Sequence, residues 1–380
     1  MIPSGIYTDL GAKQLREMLF EYSKITGLFG FENRKTIFEG VDSRFKFVAL
    51  SFVKGQSTTS FPAAFMRHDV NELAAFPNRD SLEIGVDLVR KLSPDSLSVM
   101  EFKSEKDVEI AEKMLQFPLL GEKRDDVWNL SLGREFDMSI DSGLFRSDSD
   151  GKLALYEGKM IHQFEHQLAK PRYWIGEKEG RKSLLGRTPD NGQKVNYELY
   201  RVAHRAIARN TDSRTMIATV LPPKTFFGHS MNASRIGLKA EETLYVCAIL
   251  NSFAFDYILR LQVTANLTLN FVYQTPVPRL STRDVAFLPI VTRAAKLICT
   301  TPEFDDLAKA AGIGTHANGA TDADERATLR AELDALVARL YGLDEAEFAH
   351  ILATFPLVSE PTRLAARNKF RDLERGVFVP

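Results

Sequence analysis

Apolar and polar positions along this chain recur with periods that change from segment to segment, and those changes predict its elements. Asp9 can cap a helix whose Leu15, Met18, Leu19 and Tyr22 share one face. The apolar runs 27–31 and 45–53 read as strands, so the first stretch is part of an α/β layer. A helix is expected over 104–115, and the alternating apolar residues of 128–145 read as extended chain. Pro171, Pro189 and the Pro222–Pro223 pair break 151–240 into β-rich and loop-rich pieces. Residues 241–261 are apolar nearly all round, which predicts one buried helix, and 266–272 reads as a strand. Leu329, Leu333, Leu336, Val337 and Leu340 repeat at helical spacing, with Gly342 where a C′ residue belongs. Asp344 and Glu347 form a capping-box pattern for a further helix that Pro356 ends. The small, polar residues 310–323 read as a flexible loop.

The expected class is therefore α/β (α+β overall), in four stretches: 1–55, a linking α/β segment 56–120, a mixed α/β domain 121–285 and a helical region 286–380. Hydrophobic content of 44% over 380 residues suffices for two or three cores. Cys247 and Cys299 are the only cysteines, too few for a disulfide scaffold, so a reducing cytoplasmic location is expected. The N-terminal MIPSGIYTDL has no signal-peptide character. The apolar run 244–261 could span a bilayer by length, but Asn251, Ser252, Asp256 and Arg260 interrupt it, and no membrane role is expected.

Charge changes the picture more. The net charge of −1 conceals a basic block: residues 151–240 carry 16 Lys and Arg against 7 Asp and Glu, while 1–150 carry 19 against 25. Such a block suits a polyanion, because cations that neutralise phosphates release condensed counterions; a solvated basic surface is the alternative. Arg and Lys can hold phosphates or read guanine edges, and Asn and Gln suit adenine. The DNA-contact candidates are Lys159, His162, Gln163, His166, Lys170, Arg172, Arg201, Arg205, Arg209, Arg214 and Asn232. Lys178, Arg181, Lys182 and Arg187 lie in the same stretch.

A competing chemistry sits inside that block. His162-x-x-Glu165-His166 has the ligand order of an inverted zinc-protease motif, and on a helix both imidazoles would face one side, as in a zinc hydrolase. The surrounding Gly158, Phe164, Tyr173 and Trp174 suit extended chain better, and no third ligand stands in an obvious motif. There is no Gly-x-Ser-x-Gly elbow, no Walker A loop and no Gly-x-Gly-x-x-Gly turn.

The segments LALYEGKMIHQFEHQ, RVAHRAIARNTDSRTMIATVLPP and LNSFAFDYILRLQV, followed by PVPRL, resemble large adenine-specific DNA methyltransferases of bacterial defence. These include Type IIG restriction–modification enzymes and the methylases of BREX and DISARM phage-defence systems. IPSGIYTD, FENR and FKFVAL resemble late strands of the family's Rossmann-like methyltransferase sheet, and REFDMSIDSGLF and LRAELDALVARLYGL also match its style. The resemblance implies that 1–55 is the end of an S-adenosylmethionine-dependent methyltransferase domain and 121–285 a target-recognition domain for double-stranded DNA. Family members hold a flipped adenine with an Asn-Pro-Pro-aromatic motif, which this sequence does not contain. The expectation is a DNA-recognition portion whose catalytic half and S-adenosylmethionine site lie in a missing N-terminal methyltransferase half, of the same gene or a separate chain. A stand-alone specificity subunit without enzymatic role is the alternative.

Overall fold

Ser23 to Glu32 carry the side chains around which the first sheet is built, because Leu28, Phe29 and Phe31 are all withdrawn from water. The computed structural model of the protein describes residues 2–43, 45–78, 80–208, 212–235, 237–262 and 267–377. The chain divides into two units, Met1–Gln116 and Phe117–Pro380.

In the first unit, β1 (Ile2–Pro3), β2 (Ser23–Glu32), β3 (Lys46–Lys54), β4 (Ser60–Arg67) and β5 (Leu82–Gly85) form one sheet in the order β1-β3-β2-β4-β5. Only β2 and β4 pair in parallel; the other neighbours are antiparallel. The rings of the cross-strand pair Phe31 and Phe47 stack at 5.1 Å between centroids, and Phe29 meets Phe76 edge-on at 5.0 Å. The sheet joins residues on both sides of position 55, so the boundary expected there runs through a single layer rather than between two.

The helices of this unit are α1 (Gly5–Thr8), α2 (Lys13–Tyr22), α3 (Val86–Leu92) and α4 (Glu105–Met114). The last has the expected limits, started by a Ser104–Asp107 capping box. The orientation of α2 differs from expectation. Arg16, not an apolar residue, fixes it, donating to the carbonyls of Ile6 at 2.7 Å and of Asp9 and Ser96 at 2.6 Å. Leu19 and Phe20 are buried beside Arg16, which turns Leu15, Met18 and Tyr22 to solvent, Tyr22 to 64%.

The second unit holds two small sheets. β9 (Arg201–Arg205) lies at the centre of the larger one, between β10 (Ala218–Leu221) and β12 (Met231–Ser234), with β6 (Leu132–Gly133) beyond β12. The smaller has the order β11-β7-β8, from β7 (Lys152–Tyr156), β8 (Tyr173–Gly176) and β11 (Phe226–Phe227). Residues 128–145, expected to be extended, are largely irregular around β6.

Helices complete the unit: α5 (Glu177–Leu185), α6 (Ala240–Asn251), α7 (Phe253–Gln262), α8 (Leu269–Tyr273), α9 (Phe287–Ile298), α10 (Asp305–Ala310), α11 (Ala323–Leu340), α12 (Glu345–Ala353) and α13 (Glu360–Glu374). The single helix expected over 241–261 is two, bent by 62° at Ser252. The break has identifiable causes. Asn251 turns its amide onto β10, accepting from Ala218 N at 3.0 Å and donating to Ala218 O at 2.9 Å. Asp334 of α11 then accepts from the freed Phe253 N at 2.9 Å. Among the described residues no single helix is long and apolar enough to cross a membrane.

The expected strand over 266–272 is instead the helix α8, with Asn266 outside the described residues. The expected C′ glycine stands: Gly342 has φ +70°, and Leu343 N donates to Ala338 O at 3.2 Å. So does the Asp344–Glu347 capping box. The small residues 310–323 are packed rather than loose. Ala320 is buried and donates its N–H to Lys296 O at 2.7 Å, and a side chain at Gly319 would collide with Cys299 O.

Candidate nucleic-acid interface

The smaller sheet carries a cationic platform. Leu155, Ile175, Phe226, Phe136 and Tyr197 form its core, and α5 lies on it through Gly180, whose missing side chain admits the Phe226 ring. That seating leaves Lys178 and Lys182, one turn apart, facing water. Arg187 follows the turn at Gly186, and Lys194 follows a loop that Arg181 clamps. Arg181 donates to Asp190 at 2.7 Å, to Glu198 at 3.0 Å and to Gln193 O at 2.7 Å. Arg172 lies over the Tyr173 ring at 4.8 Å. Lys178, Lys182, Arg187 and Lys194 are exposed and form no ion pair among the described residues. The neighbouring acids are partly neutralised: Glu177 accepts from Tyr197 at 2.9 Å and from Lys224 at 2.5 Å.

The His-x-x-Glu-His segment is a tight turn, not a helix. His162 N donates to Glu165 O at 2.8 Å, Glu165 N donates to His162 O at 3.0 Å, and Phe164 sits at φ +60°. Phe164 is buried, and its N–H donates to Ala218 O at 3.0 Å, which ties the turn to β10. The two imidazoles therefore part. His166 is buried, with its Nε2 3.1 Å from Glu303 and its ring edge-on to Phe304 at 4.9 Å. Burial holds its pKa below the ordinary value, against the pull of Glu303. His162 reaches the surface, yet desolvation of the covered part of its ring holds its pKa down first and the Arg205 charge second. The arrangement lacks the convergence a zinc hydrolase needs, and among the described residues no three His, Cys, Asp or Glu side chains gather to hold a metal ion.

Behind this turn opens a cleft of about 470 Å³, walled by Gln163, Phe164, Arg214, Arg330, Asp334 and the start of α13. Gln163 donates its amide to Asn251 O at 3.1 Å. Arg214 is buried, donating to Asp256 at 2.7 Å and lying over the Phe253 ring at 4.2 Å. Asp256 also accepts from Thr215 N at 3.2 Å and Met216 N at 3.1 Å, so its charge is fully hydrogen-bonded. Burial pushes the Asp334 carboxyl up to about 6.

No protein-family profile matches the sequence, and no curated protein is similar to it. Solved structures are, two of them restriction enzymes. One is the Type IIL restriction-modification enzyme MmeI in complex with DNA, at TM-score 0.46 and 10% identity over 93% of this chain and 48% of that one. The other is the type IIG restriction endonuclease BpuSI, at TM-score 0.37 and 14% identity over 90% of this chain and 46% of that one. The chain spans about half the length of either. With both TM-scores below 0.5, the functional reading rests on this chain's own residues.

Those residues fall into two groups that sequence had merged. Arg201 is 1% exposed and donates to Glu135 at 2.6 Å and to Thr225 O at 2.6 Å. Burial pushes Glu135 up while Arg201 opposes it. Arg214, His166 and Asn232 are also buried, so these four cannot touch a duplex on the folded surface. Arg205 donates to Ile161 O at 3.1 Å and so supports the turn. Lys159 is exposed but faces Glu157 at 3.2 Å. Lys170 and Arg172 are exposed, His162 and Gln163 line the cleft, and Arg209 lies outside the described residues. Lys194, Arg330 and Asp334 were missed: the last two belong to a helix read only for its leucine spacing, and nothing local announces that it meets the turn.

Proposed function

We propose that the unit Phe117–Pro380 recognises DNA as the target-recognition portion of a site-specific adenine-N6 DNA methyltransferase of the restriction–modification or phage-defence kind. One observation carries the reading: Lys178 and Lys182 of α5 and Arg187 and Lys194 of the loop after it face solvent with no ion pair among the described residues, and Arg172 just before β8 is exposed too. Exposed cations with no internal partner attract phosphate at little desolvation cost, and aromatic-backed Arg172 adds a planar donor fork. The sequence resemblance supplies the enzyme class.

S-adenosylmethionine belongs, in this reading, to a methyltransferase half outside these residues. The chain has no Asn-Pro-Pro-aromatic segment to accept from an adenine amino group, so its residues do not fit that chemistry, and no methyl-transfer step is derived for it. The exposed apolar face of α2, with Leu15, Met18 and Tyr22, and the exposed Phe52 and Val53 at the end of β3 suit contact with such a half.

The test is binding of the chain to a pool of random duplexes across a salt series, beside a radiolabelled methyl-transfer assay. The expected result is salt-dependent binding that selects a sequence, with no methyl incorporated. Salt-independent binding, no binding at all, or methyl transfer by this chain alone overturns the proposal.

A further inference from the structure

The cleft behind the 162–165 turn is more than a by-product of packing. Its volume of about 470 Å³ falls within the range of small-molecule sites. Ala327 and Ala331 of α11 and Ala365 of α13 keep its wall low, where larger side chains would close it. Its cations are held in different ways. Arg214 is balanced by Asp256, but Arg330 is half-buried and forms no hydrogen bond or ion pair among the described residues. Arg326, one turn earlier, donates to the carbonyls of Leu297 at 2.8 Å and Ala320 at 2.9 Å, and its charge and that of Arg330 act on each other. Asp334, buried beside Phe253 N, and the exposed Glu165 act on Arg330 through space without an ion-pair contact among the described residues. A half-buried guanidinium whose N–H donors touch no acceptor costs desolvation energy that an anionic ligand in direct contact offsets. Ser213, Thr362 and the Gln163 amide supply neutral polar groups on the same walls.

We propose that this cleft binds a nucleoside monophosphate unit, its phosphate on Arg330 and its body against the alanine wall. The choice of a nucleotide as the body rests on the DNA-binding reading; the anion site rests on the cleft alone. The unit comes either from free solution or from an unstacked nucleotide of a bound strand.

Calorimetric titration of the full chain with dAMP, adenosine and inorganic phosphate tests this, beside duplex binding. Binding of dAMP at least about tenfold tighter than adenosine is expected, as is a loss of about tenfold or more in Arg330→Gln. Ala327→Glu, exposed and one turn from Arg330 on the same helix face, places a carboxylate beside the guanidinium and has the same expected effect if Arg330→Gln does not fold. Weakened binding of single-stranded oligonucleotides in these variants assigns the site to a strand; an effect on dAMP alone assigns it to a free nucleotide. Undetectable binding of both dAMP and phosphate, equal binding of dAMP and adenosine, or unchanged dAMP affinity in both variants overturns the proposal. Duplex binding that survives such a result leaves the DNA reading intact, whereas dAMP binding without duplex binding removes only that reading.

Discussion

Arg201 and Lys182 belong to the same basic stretch, yet they do different physical work. Arg201 is sealed between Glu135 and the Thr225 carbonyl, where its charge balances another buried charge. Lys182 stands on the outer face of α5 with no ion pair among the described residues. The first can stabilise the unit but cannot meet a phosphate; the second can meet a phosphate but contributes little to stability. Net charge along a sequence counts both alike. What separates them is whether the fold supplies a carboxylate from elsewhere, as Glu135 and Asp256 are supplied to Arg201 and Arg214.

Removing the buried member of the comparison has the largest effect. Arg201→Ala leaves the Glu135 carboxylate buried without its partner and is expected to cost about 3–5 kcal/mol. Urea denaturation measures this, and a cost below about 1 kcal/mol would place Arg201 with the surface cations.

The buried region should also respond to pH, through two groups of opposite sign. Burial pushes His204 down to about 4, so its stabilising contribution is complete above the unfolded value near 6.5 and is lost as pH falls toward 4. Asp334, pushed up to about 6, contributes fully below its unfolded value of 3.8, and that contribution is lost as pH rises through 6. Each amounts to about 3 kcal/mol, so between pH 4 and 6.5 they largely offset one another. Asp334→Asn removes one of them: relative to the unmodified chain, the variant should gain about 3 kcal/mol in unfolding free energy between pH 4 and 7. Parallel pH curves for the two proteins would contradict this.

Gly180→Ala probes the seam between core and surface. The added methyl meets the Phe226 ring, and the repacking is expected to cost about 1–3 kcal/mol and to weaken DNA binding by displacing the platform. Lys194→Gln is the smallest perturbation. Its melting temperature should be unchanged, while the slope of log binding constant against log salt should fall by about 0.9.

Locally encoded features were legible in the sequence. The Asp344–Glu347 capping box, the C′ role of Gly342 and the extent of β3 need only residues adjacent in the chain. Features fixed by distant partners were not. The apolar face of α2 was misread because Arg16 reaches the Ser96 carbonyl, and the α6–α7 bend depends on Asn251 meeting Ala218 of β10. The site divides the same way. A basic interface was visible in composition, but which cations remain exposed is decided by tertiary pairing, and the Arg330 cleft exists only where the turn meets α11 and α13.

The central claim is that the exposed platform, and not the buried cations, holds DNA. It is tested most directly by the salt dependence of duplex binding in the combined Lys178→Gln, Lys182→Gln, Arg187→Gln and Lys194→Gln chain. The predicted result is a slope lowered by up to about 3.6 relative to the unmodified chain, a large loss of affinity at low salt and an unchanged denaturation midpoint. An unchanged slope in a fully folded variant would contradict it.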